Sequence, residues 1–551
     1  MTCRKHRRMV RSFLARARGQ SSLLRLHHPS AWYGLRQATT LWARGKAKYL
    51  WAKNDRQGAL DVLARALKNA PDDALLLSHI ASYELLNGNA GSAEIRLREV
   101  VEAAGGAGQC SQRTLSLFVS ILLAQYKFDE AESFLAGLPA PLQRNPEVQY
   151  LRAHTWRYSC HYAAAEEAYR RVLALQPKHS RSLLELAELL SSRRRFSDAV
   201  ALHERLINVT GEPRAGVRFY SHALLAQGKI QEGWAHNGLR IEQGALRGLK
   251  GIRVWDGSDL SERSIFVIAE GGIGDEFRDA ACYEDLIKAA RSTTITCDPR
   301  LESLFTRSFP QARVWPLRRE DRISAAHRRL SRLFDDDAFA EMKRQDYCVL
   351  SPDLFYFLKP NAADYGSPSS YLKVDPARQT AWRDRVSALP PGPKIGIAWR
   401  TLNLTYRKRS YYTELSDWEK ILRIPGAVFV NLQYGDCEED LVGAERSFGI
   451  RIWRWPDLDV TNDIDDVAAL ISVLDLVLAP NTSTLELAGA LGAKAWYMIN
   501  EPHTLDHFRL KQGSSGQDRL YPSVEIIMAD PPGDKGSLIS QVADALSRRV
   551  G

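Results

Sequence analysis

The sequence of 551 residues is poor in cysteine, and its cysteines are not grouped. Seven stand at positions 3, 110, 160, 282, 297, 348 and 437, an odd number at wide spacing with no CxxC pair. That excludes a zinc ribbon and a disulfide scaffold and points to a reducing compartment. No apolar run approaches the ~18–20 residues that a membrane-spanning helix needs. There is no GxSxG, no GxxxxGK[ST] and no HExxH, which removes the hydrolase elbow, the P-loop and the zinc-protease helix. Gly272-x-Gly274 is followed by Phe277 where a dinucleotide fingerprint needs its third glycine. Acidic residues are missing altogether from residues 1–54, which carry 13 Lys and Arg. The formal net charge is +10, so residues 55–551 carry −3. The positive charge therefore belongs to an arm over 1–40 and its flank, and a nucleic-acid-binding body is excluded. The arm is too charged for a signal-peptide core. Residues 1–54 are a candidate for contact with an anionic membrane surface. A cytoplasmic protein, peripheral at the inner face of the membrane, is the expectation.

What is present begins with a period. Small residues recur at Ala59, Ala93, Ala131, Ala165, Ala199 and Gly233, in steps of 34, 38, 34, 34 and 34. The long step contains GGAGQ at 105–109, a natural insertion. Gly88 and Gly228 precede two rungs by five residues, where a helix–turn–helix needs its turn. Large residues follow most rungs by four: Leu63, Leu97, Leu135, Tyr169 and His203. Pro71 and Pro177 follow theirs by twelve and end a helix. This pattern resembles tetratricopeptide repeats, most closely in RQGALDVLARALKNAP and AEEAYRRVLALQP. Each such repeat is a helix pair that buries its apolar face only by stacking on its neighbours, and the stack leaves a concave groove. About six repeats over 41–246 are predicted, with a protein or peptide in the groove. A groove serving only assembly stays open as an alternative.

After Gly244 the period stops. VWDGSDLSER (254–263) reads as a junction, and SIFVIA (264–269) as a strand running into the loop GGIGDEF. Further strands are predicted at 293–296, 394–399, 427–434, 474–480 and 494–499, with helices between them at 375–389 and 466–474. Strands alternating with helices imply parallel sheets with crossovers. The segments WDGSDL, FVIAEGGIGDEFRDAACYEDL, YLKVDPARQTAWRDRV, KIGIAWR, FVNLQYGD, APNTSTLELAGALGAKAW and LYPSVEI follow one another in order from 254 to about 535. In this they resemble the heptosyltransferase-like (glycosyltransferase family 9-like) domains fused to tetratricopeptide repeats. The resemblance implies an α-solenoid followed by a GT-B glycosyltransferase of two Rossmann-like lobes. The acceptor lobe would span 247–374; a linker helix and the nucleotide-sugar lobe would span 375–551.

A diphosphate donor needs converging backbone N–H groups and cations. Pro480-Asn481-Thr482-Ser483-Thr484 ends a strand, opens a helix and has no acid in its first positions, so Asn481, Thr482, Ser483 and Thr484 are the candidate phosphate site. Glu486 is counted with them as a substrate-binding candidate, although Ser483 and Glu486 also fit an S-x-x-E capping box. The resembled family often has Asp at Asn481 and His at Glu486. Gly271, Gly272 and Gly274 allow close approach of a ligand, but Asp275 and Glu276 follow at once and would repel a diphosphate. That loop suits an acceptor, with Asp275 as general base; the base role agrees with the family, and a first-turn helix acid is the plainer reading. Arg400, Arg407, Lys408 and Arg409 follow a predicted strand and would stabilise the leaving diphosphate. Gln433 and Tyr434 are placed to meet a base and Asp465 to meet ribose. His503 and His507 fall on a loop as cleft or surface histidines. A metal ion and a cofactor are not expected, the nucleotide-sugar being a substrate.

The expected activity is transfer of a sugar to an acceptor hydroxyl, a protein Ser or Thr recruited by the groove. The resemblance suggests bacterial protein O-glycosylation, with flagellin among the targets. A transferase for cell-surface polysaccharide or lipopolysaccharide and a non-catalytic repeat scaffold are the alternatives.

Overall fold

The computed structural model describes residues 29–53, 55–70, 73–240, 246, 251–317, 336–366, 369–402, 404–510 and 516–550. Of the basic arm, residues 1–28 lie outside them, as does Pro71. Two compact units divide the chain between Gln143 and Arg144, inside the repeat array.

The first unit is helical: Pro29–Ala52, Arg56–Lys68, Ala74–Leu86, Ala90–Ala103, Gln112–Ala124, Phe128–Ala136 and Ala140–Gln143. Asp55, Asp73 and Ser111 cap three of these helices by accepting first-turn backbone N–H groups. The rungs Ala59, Ala93 and Ala131, and Leu63, Leu97 and Leu135 four residues on, are fully buried. A side chain at each rung larger than a methyl would hold the helices apart, which is why small residues recur there. Gly105 and Gly106 adopt positive φ in the insertion, a conformation that other residues rarely take.

The second unit continues the array and then changes class. Three more helix pairs run Pro146–Tyr158 with Tyr162–Leu175, Ser180–Ser192 with Phe196–Thr210, and Val217–Ala226 with Ile230–Asn237. Ala165 and Ala199 are fully buried. A Cβ on Gly233 would stand 2.7 Å from the Leu225 side chain, so this rung must be glycine. Within each unit the helix pairs are those of tetratricopeptide repeats.

Two parallel sheets follow. The smaller holds β1 (Ser264–Ile268), β2 (Ser292–Cys297), β3 (Arg313–Pro316) and β4 (Tyr347–Leu350) in the order β3-β2-β1-β4. The larger holds β5 (Lys394–Ile397), β6 (Val428–Asn431), β7 (Ile452–Trp453), β8 (Leu476–Ala479), β9 (Ala495–Ile499) and β10 (Val524–Met528) in the order β10-β9-β8-β5-β6-β7. Every ladder is parallel. Both sheets wind outward from their first strand and reverse beside it, the Rossmann order, so ligands belong at the carboxyl ends beside β1 and β5. Helix Pro376–Ser387 joins the lobes as expected. The turn-rich segment before β1 does more than connect: Trp255 is buried, and its indole donates to Ser258 O at 2.8 Å.

Candidate functional site

The loop after β1 is Glu270-Gly271-Gly272, and the loop after β8 is Pro480-Asn481-Thr482. They are the loops at the two reversal points, and they meet. Gly274, in helix Ile273–Asp279, lies so near helix Ser483–Ala490 that a Cβ would stand 3.3 Å from Ser483 Cα. Gly274 therefore serves close packing of one lobe on the other. Gly271 has positive φ, and a Cβ there would fall 2.3 Å from Asp275 Oδ2. The glycine is what lets the Asp275 carboxylate fold back over the loop.

A cavity of about 420 Å³ opens at this meeting point. Gly271, Asp275, Arg278 and Asp279 line it from the first lobe; Arg407, Lys408, Tyr411, Tyr412, Asn481 and His503 from the second. Its third wall is the solenoid: Tyr158, Glu188, Arg218, Phe219 and His222.

Asp275 is the first-turn helix acid that its position implies, and it also lines the cavity. Its Oδ2 accepts from Gly272 N–H at 2.7 Å, which caps the helix, and its Oδ1 pairs with Arg278 Nη2 at 3.0 Å. The side chain is still 43% exposed, toward the cavity it lines. Burial would lower the affinity of Arg278 for its proton, but Asp279 and Asp275 hold the guanidinium charged. Asp279 is pushed up to about 7 by burial, against the pull of Arg278, and accepts from Ser351 Oγ at 2.7 Å.

The cationic loop divides. Arg407 and Lys408 reach the cavity. Arg407 Nη1 also donates to Tyr158 OH at 3.1 Å and to Glu185 Oε1 at 3.2 Å. Lys408 has no ion-pair partner among the described residues. Arg400 turns the other way, to Asp440 at 2.9 Å and to the carbonyl of Asp436 at 2.9 Å. Arg409 pairs with Glu414 at 3.1 Å.

Several predicted ligand contacts are occupied by protein. Gln433 is fully buried; its Oε1 accepts from the backbone N–H groups of Trp399 and Arg400 at 2.9 and 3.0 Å, and its amide donates to the carbonyls of Arg400 and Tyr434. It braces the β5 and β6 loops and does not meet a base. Asp465 is buried against Arg307 of the first lobe, so its carboxylate bridges lobes. The capping box expected between Ser483 and Glu486 does not form. The helix starts at Ser483, Thr482 is its N-cap, and Glu486 points inward, accepting from Arg509 Nη1 and Tyr521 OH, each at 2.6 Å. Thr482 and Thr484 are buried, their hydroxyls bonded to the carbonyls of Pro480 and Leu432. Ser483 and Tyr434 are partly exposed beside this loop. Of the predicted residues the cavity thus unites Gly271, Asp275, Arg407, Lys408 and Asn481.

The stretch expected as a loop is helical: His503 caps helix Thr504–Arg509 and His507 lies within it, and neither is a surface residue. His503 lines the cavity, and burial, with Arg157 and Lys408 nearby, pushes it down to about 4. His507 packs on Phe196 and faces Ser192 O; burial pushes it also down to about 4.

No sequence motif marks the solenoid wall. Its inner face holds a buried network: Arg157 pairs with Glu185 and with Glu188 at 2.9 Å, and Arg407 of the second lobe joins it. Burial raises Glu188, whereas Arg157 and His154 hold Glu185 below the usual carboxylate range in spite of burial. Arg240, at the end of the array, binds Glu270 at 2.8 Å and Asp353 at 2.9 Å, fixing the loop after β1. The signal for this wall lay in polar and aromatic residues, such as Arg218, Phe219 and His222, within otherwise apolar repeat helices. Among the described residues no cluster of three side chains is arranged to hold a metal ion. No described helix is long and apolar enough to cross a membrane.

No family model matches the chain. Protein FlbA of Caulobacter vibrioides is 30% identical over 433 residues, covering 74% of this chain and 69% of that protein. Among solved structures, a glycosyl transferase family 9 protein of Veillonella parvula aligns with 53% of this chain and 99% of its own at 10% identity and a TM-score of 0.36. A thermophilic tetratricopeptide repeat protein of Thermus thermophilus aligns with 34% of this chain and 99% of its own at 20% identity and a TM-score of 0.30.

Proposed function

The chain belongs to the family of Caulobacter vibrioides Protein FlbA, and we propose that it is a GT-B glycosyltransferase acting on a protein hydroxyl. The observation that carries this reading is the single cavity at both reversal points, with an acid on one lobe, cations on the other and the repeats as its third wall. In the proposed reaction the acceptor oxygen bonds to the anomeric carbon while the bond from that carbon to the donor diphosphate breaks. Asp275 takes the hydroxyl proton, and the diphosphate leaves with the bonding pair. Arg407 and Lys408 offset the charge that develops, together with the backbone N–H groups at Asn481–Thr484. No metal ion is invoked in this reading, in which the Arg407 and Lys408 charges that line the cavity neutralise the diphosphate. The repeat groove recruits the polypeptide whose Ser or Thr enters the cavity.

The test is nucleotide release from UDP-, GDP-, ADP- and CMP-sugars in the presence of a protein acceptor. One donor class is turned over by the natural chain, and Asp275→Asn lowers the rate about 100-fold or more, the usual value of a general base. Transfer undiminished in Asp275→Asn would remove the assigned base. The rival reading, a repeat scaffold with an inactive transferase domain, draws on Glu486, whose carboxylate is held by Arg509 and Tyr521 in the core. It predicts that no donor is consumed.

A further inference from the structure

We propose that His222, on a repeat helix and not on either Rossmann-like lobe, is a substrate-contacting residue of the transferase site. The inference rests on the transferase reading and names a further residue of that same site. His222 lies in helix Val217–Ala226, and its ring lines the cavity shared with Gly271 and Asp275. Its Nδ1 is sealed inside the protein with no hydrogen-bond partner. In the proposed contact Nε2, which is not among the sealed, unpartnered atoms, is the nitrogen that meets the cavity.

The physical argument is one of cost. A buried nitrogen without a partner forfeits the hydrogen bond it had in water. Structures rarely keep such a group unless something else gains from it. His203 and His236 also carry unpartnered buried nitrogens, but neither lines the cavity. The ring stays uncharged: burial, reinforced by His503, Arg278 and Arg218, holds it well below the usual histidine range. An unpaired lone pair is tolerated inside a protein more readily than an unpaired N–H. Nδ1 accordingly keeps its lone pair, and Nε2 carries the hydrogen. His222 thus presents a neutral N–H donor to an oxygen of the bound substrates. That complements Asp275, which can only accept, and Lys408, which donates as a full charge. Arg278 ties the two sides: it pairs with Asp275 at 3.0 Å and acts on the His222 ring.

The experiment compares His222→Leu, His222→Gln and the natural chain in thermal stability, binding of the nucleotide diphosphate, and steady-state transfer. Leu removes the orphan nitrogen and fills its space, so the expected Tm is equal or higher while kcat/KM falls at least tenfold. Gln restores a neutral N–H donor and recovers a large part of that loss. A His222→Leu protein with undiminished kcat/KM overturns the inference, and so does one whose Tm and activity fall together and are not rescued by Gln. The transferase reading fails separately, when the natural chain neither binds a nucleotide diphosphate nor consumes any donor; His222 then has no substrate to contact, and the inference falls with it.

Discussion

The repeats before Gln143 and those after it share a period, a rung residue and a helix pair, and both carry exposed ion pairs, yet among the described residues the second set adds a network buried on both sides. Among the described residues of the first unit, each ion pair keeps one partner well in water: Arg96 is 35% exposed, Lys127 40% and Arg98 47%. In the second, Arg157, Glu185 and Glu188 are at most 10% exposed and pair with one another, with His154, with tyrosines and with Arg407 of the second lobe. The rungs dictate the stack in both. The residues between rungs decide whether the inner face is a solvated surface or the wall of a cavity.

The sharpest way to break this comparison is to remove one charge from each network. Glu185→Ala leaves Arg157 buried without its main partner and should cost about 3–5 kcal/mol. Glu130→Ala, at an exposed pair with Arg98, should cost less than about 1 kcal/mol. Hydrogen exchange of helices Ser180–Ser192 and Ala90–Ala103 reads the two losses separately. Equal losses would mean that the two stretches differ in appearance only.

Acid should separate the units next. His154, His503 and His507 are buried and pushed down to about 4, all in the second unit. Because their folded values lie below the unfolded one, the stability they contribute is full above pH ~6.5 and is lost as pH falls toward 4. The loss approaches ~3 kcal/mol for each histidine. The first unit has His79, half-buried, with the same direction. A pH-dependent melt should show the second unit loosening first, and His507→Phe should flatten its acid limb.

Much of this architecture was legible. Ala59 through Gly233 announced the array because a crossing of two helices tolerates only small residues, and each rung proved buried. Largely apolar runs such as β1 (SIFVI), β8 (LVLA) and β9 (AWYMI) stood out because a strand covered on both faces is apolar along its length; β4 (YCVL) and β10 (VEIIM) did not. Short strands with polar or aromatic residues, Arg313–Pro316 and Ile452–Trp453, did not. The site was legible only in part. Motif and loop position led to Gly271, Asp275, Arg407, Lys408 and Asn481. The same logic misplaced Gln433, Asp465 and Glu486, because sequence position shows which loop a side chain leaves but not which buried partner claims it. The solenoid wall, with His222 and Glu188, was invisible, since its residues come near the lobes only through tertiary packing.

Where the two stretches agree, a common test applies. Ala59→Leu and Ala165→Leu overfill equivalent crossings and should each cost about 1–3 kcal/mol by thermal melting. A large difference would show that the rungs are not equivalent. The smallest expected effect is at the edge of the cationic loop. Arg409→Ala breaks the exposed pair with Glu414 and should change stability by less than about 1 kcal/mol and leave transfer unaltered.

Lobes and repeats build one cavity, and nucleotide binding tests most directly the proposal that it takes the donor. The melting of the full chain would be followed with UDP, GDP, ADP and CMP, and repeated with Arg407→Ala. At ~100 times its Kd a ligand adds ~2.7 kcal/mol, or about 2–4 °C in Tm for a unit of this size. The account predicts that one nucleotide produces that shift and that Arg407→Ala abolishes most of it. No shift with any nucleotide, or a full shift in Arg407→Ala, would contradict it.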